Sequence, residues 1–220
     1  MSGEPVDGVI KFQLDHEERL LEQPQLEIGI EELEAWRSIF KQLGIIGQDE
    51  GKYDGYGFGN LSQRTASGFL ISGTQTGYIG KTTLADYAEV TDWNPLTNSV
   101  CSRGMVKPSS ESLSHAVIYE MHSEGQSEGQ SEEESLVGCV FHVHSPEIWQ
   151  KAMDLQIPTT DPDIEYGTPE MAEAVQKIVA ENGLPSVLSM GGHEDGIIAY
   201  GRSLSETGLV LMQTLAQARK

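Results

Sequence analysis

The chain has little cysteine, few basic residues and no long apolar run, and each shortage narrows what it can be. Only Cys101 and Cys139 occur in 220 residues, and Cys139 sits inside an apolar run, where a thiol packs as a small hydrophobe rather than pairing. A reducing compartment is expected. Against 34 Asp and Glu there are 14 Lys and Arg, a formal net charge of −20, which argues against nucleic acid or an anionic membrane surface as partner. No apolar stretch approaches the roughly 18 residues of a spanning helix, and MSGEPVDGVI has neither a basic n-region nor an apolar h-region. The expectation is a cytoplasmic protein. Also missing are the GxxxxGK[ST] and strand-anchored GxGxxG fingerprints of nucleotide sites.

What remains fits one ordinary domain with a sizeable core. Residues 1–28, with DHEERLLEQPQLE, read as an acidic N-terminal arm, frayed or forming a short helix on a neighbouring subunit, and the domain is expected over 29–220. Ile30, Leu33, Trp36, Phe40 and Leu43 recur at helical spacing before Gly44. The glycine-rich stretch YDGYGFGNLSQRTASGFLISGTQTGYIG suits short strands and tight turns. Its N–H groups and its Asn, Ser and Thr side chains can meet an anion, or serve only as turn chemistry. Strands are expected near 88–91 and 99–102. In KPSSESLSHAVIYEMH, Ser109 or Ser110 caps a helix whose apolar stripe is Leu113, Val117, Ile118 and Met121. Glu111 then complements the helix dipole or stands as a carboxylate beside an anion site. Residues 123–135, SEGQSEGQSEEES, read as a solvated low-complexity loop.

The most informative stretch is LVGCVFHVHSP, from Leu136 to Pro146. Its β-branched and aromatic residues predict a strand, and on a strand His142 and His144 point to one face. Two such imidazoles can hold an ion, or can be ordinary hydrogen-bonded histidines. A helix is expected from Pro146 to about Leu155. Another begins with Thr168 as N-cap, Pro169 at N1 and a Met171, Val175, Ile178, Val179 stripe. PSVLSMGGHEDGIIAYG then reads as two strands, or one bent at Gly191-Gly192, carrying His193, and a helix starting at Ser205 and Glu206 closes the chain.

In order and spacing, GNLSQR (59–64), FLISGTQTG (69–77), KPSSE (107–111), FHVHS (141–145) and HEDGIIAYG (193–201) resemble the class II aldolase/adducin family. The resemblance implies a three-layer α/β/α fold with a central, mainly antiparallel sheet, a divalent metal, usually Zn²⁺, and often a cyclic homotetramer. It implies further that His142 and His144 ligate the metal. Asn60, Thr76, Gly77, Ser109 and Ser110 would cradle a substrate phosphate, and Glu111 would move a proton. The expected activity is that of a metal-dependent lyase, cleaving or forming a C–C bond in a small sugar-phosphate-like compound through a metal-stabilised enediolate. Epimerisation, dehydration, decarboxylation and a non-enzymatic adducin-like module are the alternatives.

Two departures bear on the site. In the family's sugar-phosphate aldolases the third metal histidine directly precedes a glycine, whereas here Asp195 precedes Gly196 and His193 lies two positions earlier. His193 is the expected third ligand, with Asp195 replacing or orienting it. The tyrosine that a sugar-phosphate aldolase of the family contributes as proton donor from a neighbouring subunit aligns near Asp163; either the aspartate does acid–base work there or the step is lacking, and Tyr166 is the other candidate, unless it is simply core.

Overall fold

The computed structural model describes residues 9–22, 26, 29–121 and 136–220; the expected loop 123–135 lies outside them. The described chain opens with strand β1 (Gln13–Glu18), helix α1 (Glu31–Gln42) and a small ribbon of β2 (Gly47–Gln48) and β3 (Gly57–Phe58). Strands β4 (Asn60–Thr65), β5 (Gly68–Ser72), β6 (Tyr87–Asn94) and β7 (Ser99–Gly104) follow, then helix α2 (Ser112–Met121) and strand β8 (Cys139–His144). Helices α3 (Pro146–Gln150) and α4 (Pro169–Glu181), strands β9 (Ser186–Ser189) and β10 (Gly196–Gly201) and helix α5 (Leu204–Ala218) complete it.

Eight strands form one sheet in the order β1-β7-β6-β5-β4-β8-β10-β9. Among the described strands of this sheet only the β1–β7 pair is parallel. Alternation along the strands divides their side chains between two cores. Val140, Ile198 and Tyr200 join Phe69, Ile71 and Val90 beneath Val117 of α2 and Met171 and Val175 of α4. Phe141, Val143, Ile197 and Ala199 join Leu61 and Leu70 beneath Leu33 and Phe40 of α1 and Leu211 and Leu215 of α5. The result is the expected α/β/α sandwich with a mainly antiparallel centre. Each fully buried Leu, Ile or Phe contributes about 1.5–3 kcal/mol, and no helix among the described residues is long and apolar enough to cross a membrane.

Local signals decide the helix starts. Thr168 accepts from the Met171 N–H ahead of Pro169, and Ser145 accepts from Ile148 N–H ahead of Pro146. The last helix is capped by Ser203, whose side chain accepts from Glu206 N–H, two residues before the expected start. α3 stops at Gln150 and gives way to turns, short of the expected Leu155.

The segment 1–28 departs most from its expected place. Within it, Gln13–Glu18 pairs with Ser99–Gly104 as an edge strand, and Phe12, Leu21 and Leu26 are buried. The sequence QLDHEE is poor in β-formers, so composition suggests an arm; a paired neighbour, more than intrinsic preference, makes a strand.

Candidate active site

On β8, His142 and His144 share the face of Val140, which lies in the core under α2 and α4. The register sets His142 between Asn60 of β4 and Ile198 of β10, and His144 opposite Gly196. His193 arrives from the turn joining β9 to β10. That turn is closed by His193 N–H donating to Met190 O at 3.1 Å and Gly196 N–H donating to His193 O at 2.9 Å. A Cβ on Gly196 would meet His193 Cδ2 at 2.7 Å, so glycine is what lets the ring lie there.

The three imidazoles are buried, and each offers a nitrogen within 4.8 Å of the other two. His142 Nε2 and His193 Nε2 are 3.3 Å apart. An ion about 2.0–2.1 Å from each of two nitrogens in tetrahedral geometry sets them about 3.3 Å apart, so the pair has ligand spacing. Burial pushes His142 down to about 4. It also holds His144 and His193 well below the usual imidazole range, with neighbouring imidazoles adding to the effect. Neutral rings are the form that binds metal. His142 Nδ1 donates to Ile197 O at 3.2 Å, leaving Nε2 as the lone pair. His144 Nδ1 is buried with no hydrogen-bond partner among the described residues, as a nitrogen meant for a cation would be. The donor set could hold a divalent ion.

The triad lines a cleft together with residues 57–60, 73–77 and 109–111. Asn60, Thr76, Gly77, Ser109, Ser110 and Glu111, all singled out in the sequence, meet there, and among the described residues no Lys or Arg lines it. Ser109 Oγ accepts from the Glu111 N–H at 3.3 Å, which leaves its proton free for another acceptor. The Thr76 hydroxyl donates to Gly73 O at 2.8 Å, so its proton is committed to the loop. Glu111 is buried just ahead of α2 rather than inside its first turn, and its Oε2 accepts from Ser114 Oγ at 3.0 Å.

The remaining expectations divide. Tyr166 is buried with its ring 4.7 Å from that of His193 and the Lys11 ammonium 3.8 Å over its face. Asp163 is exposed and does not line the cleft. Asp195 is outside the metal-competent group. Its left-handed backbone (φ 61°) carries a carboxylate that accepts from Tyr53 OH at 2.7 Å.

Two residues escaped sequence reasoning. The ring of Tyr53 packs edge-on against His144 at 4.5 Å; it lies in the glycine-rich stretch, but nothing in spacing links it to Asp195. His115 is fully buried, with Nδ1 2.7 Å from Ser62 Oγ, which is 2.8 Å from Tyr119 OH. Burial, then the nearby His142, holds its pKa well below the ordinary value. Its spacing, four residues after Glu111 in the sequence, was the available signal.

Comparison with solved structures gives the same architecture in L-fuculose-1-phosphate aldolase from Thermus thermophilus, with a TM-score of 0.60 and 18% identity over 86% of this chain and 89% of that one. YgbL from Klebsiella pneumoniae, whose description leaves aldolase, epimerase and decarboxylase open, gives 0.58 and 17% over 90% and 89%. Its Escherichia coli counterpart gives 0.57 and 19% over 86% of each chain. At such identities the likeness is one of fold. A sequence comparison with curated proteins finds no match. The model of the Class II Aldolase and Adducin N-terminal domain matches residues 49–218, a span that takes in all three histidines and the whole cleft, and the chain belongs to that family.

Proposed function

We propose that the protein is a metal-dependent carbon–carbon lyase acting on a small, phosphorylated sugar or hydroxycarbonyl compound. The observation that carries this reading is the junction of three buried, neutral imidazoles with a buried carboxylate, Glu111, in one cleft. His142, His144 and His193 would hold a divalent cation, Zn²⁺ being the reading that imidazole donors and tetrahedral spacing favour. When bound, it supplies Lewis-acid stabilisation of the negative charge that builds on substrate oxygen as the bond breaks.

The chain's own residues do the rest. Ser109, Ser110, Asn60 and the backbone at Thr76 and Gly77 hold the phosphate and fix the reacting carbons near Glu111. Glu111 takes the hydroxyl proton during cleavage and returns one in the reverse direction. Tyr166, beside His193, is the nearer candidate for the second proton. Asp163 would act only on a neighbouring subunit's cleft, in the tetramer that belongs to this proposal and that analytical ultracentrifugation tests. The same parts could serve an epimerase or decarboxylase, since fold does not select the reaction.

The test is a lyase assay over phosphorylated and unphosphorylated ketoses, before and after chelation. Activity should vanish on chelation and return with Zn²⁺. Full activity in protein shown by elemental analysis to be metal-free would refute the proposal.

A further inference from the structure

Read as a phosphate cradle, the cleft has no Lys or Arg among the described residues that line it, so the orientation of its loop peptides matters for an anion. We propose that Arg37 and Lys41 of α1 are positioning residues for the anion-binding loop, setting the orientation of its peptides from behind. This rests on the reading of the cleft as a phosphate cradle.

Residues four apart on a helix are neighbours, and here both turn toward the loop after Gly73. Arg37, 1% exposed, donates from Nη2 to Thr76 O at 3.1 Å and Ile79 O at 3.0 Å. Lys41 Nζ donates to Gly77 O at 2.9 Å, Tyr78 O at 3.1 Å and Ile79 O at 2.6 Å. Four consecutive carbonyls therefore face two cations. The far end of the loop is tied to the same helix: Glu34, 3.7 Å from Arg37 Nη1, accepts from the backbone N–H of Thr82 at 3.1 Å and from its hydroxyl.

A trans peptide carries its C=O and N–H on opposite sides. Holding Thr76 O on Arg37 thus turns the Gly77 N–H away from the cation, and the Gly77 nitrogen packs against Gly57, another lining residue. The loop lies close on its neighbour at Gly77, where a Cβ would come within 2.1 Å of Gly47 O, so only glycine fits there. Of these peptides the Thr76–Gly77 one borders the cleft, while the Ile79 N–H closes the turn on Thr76 O at 3.1 Å, and in a partly buried setting the charges behind the loop are weakly screened. The arrangement delivers positive potential to a bound anion while leaving no lysine to compete with substrate for Glu111.

The test titrates inorganic phosphate by calorimetry into the zinc-loaded protein and into Lys41→Met, Lys41→Arg and Arg37→Lys variants, with Zn²⁺ affinity and thermal midpoint measured in parallel. Lys41→Met keeps the aliphatic stem and removes three charged donors. It should weaken phosphate binding about tenfold with Zn²⁺ affinity unchanged, and Lys41→Arg should recover most of the loss. Arg37→Lys guards against a variant that fails to fold, and should fall between wild type and Lys41→Met. Wild-type phosphate affinity in both folded Lys41→Met and Arg37→Lys would overturn the proposal, as would equal losses of Zn²⁺ and phosphate, which mark general distortion. Zn²⁺ binding without phosphate binding in the wild type would instead overturn the cradle itself.

Discussion

The two faces of the central sheet are made from the same strands yet do different work. Along β8, Cys139, Phe141 and Val143 point to α1 and α5, where Phe141 meets Trp36 and Phe40 at ring-centroid separations of 6.5 and 5.5 Å. On the other face, Val140 is core but the next two inward positions are His142 and His144. One side is an apolar contact that fixes the strand's position, and the other uses that rigidity to hold buried imidazoles together. Three neutral imidazoles close together cost desolvation and stabilise little unless something binds them. The face with the proposed site therefore depends for its geometry on the apolar face behind it.

Substitutions on the two faces should separate these roles. His142→Ala is expected to lower metal affinity by at least about 100-fold and abolish activity, while the metal-free variant keeps its fold; metal content and circular dichroism report both. Loss of fold with metal content intact would break the comparison. Glu111→Gln should retain metal and lower kcat by about 10²- to 10⁴-fold, and an unchanged kcat would remove Glu111 from the reaction. Phe141→Ala, one residue from His142, should cost about 3–5 kcal/mol of stability in denaturant titrations while the folded fraction still binds one ion per chain.

The smallest effect concerns pH. His115 has a folded pKa well below its ordinary value of 6.5, so above pH 6.5 both folded and unfolded chains leave it neutral. As pH falls below that point the unfolded chain takes up a proton that the folded chain refuses, and stability drops. Metal-free protein should lose up to about 1 kcal/mol per pH unit from this group, and His115→Gln should flatten the slope. An identical slope in that variant would mean the buried His115–Ser62–Tyr119 group plays no part.

What the sequence made legible follows from range. His142 and His144 are visible because a period of two needs only local reading, and α1 and α4 are visible from their apolar stripes and caps. His193 and the five cradle residues come into view through motif order, because their convergence depends on β4, β5, β8 and β10 lying side by side. β1 stayed hidden, since its strand state is conferred by β7. The Tyr53–Asp195 bond joins residues 142 positions apart, and the Arg37 and Lys41 donors reach carbonyls, which carry no sequence signature at all.

The central claim is that one cation belongs at the meeting point of three imidazoles. Anomalous scattering at the zinc edge from crystals soaked in Zn²⁺ tests it most directly. The account predicts a single strong peak within bonding distance of His142, His144 and His193. A peak on Asp195 or surface carboxylates, with none between those rings, would contradict it.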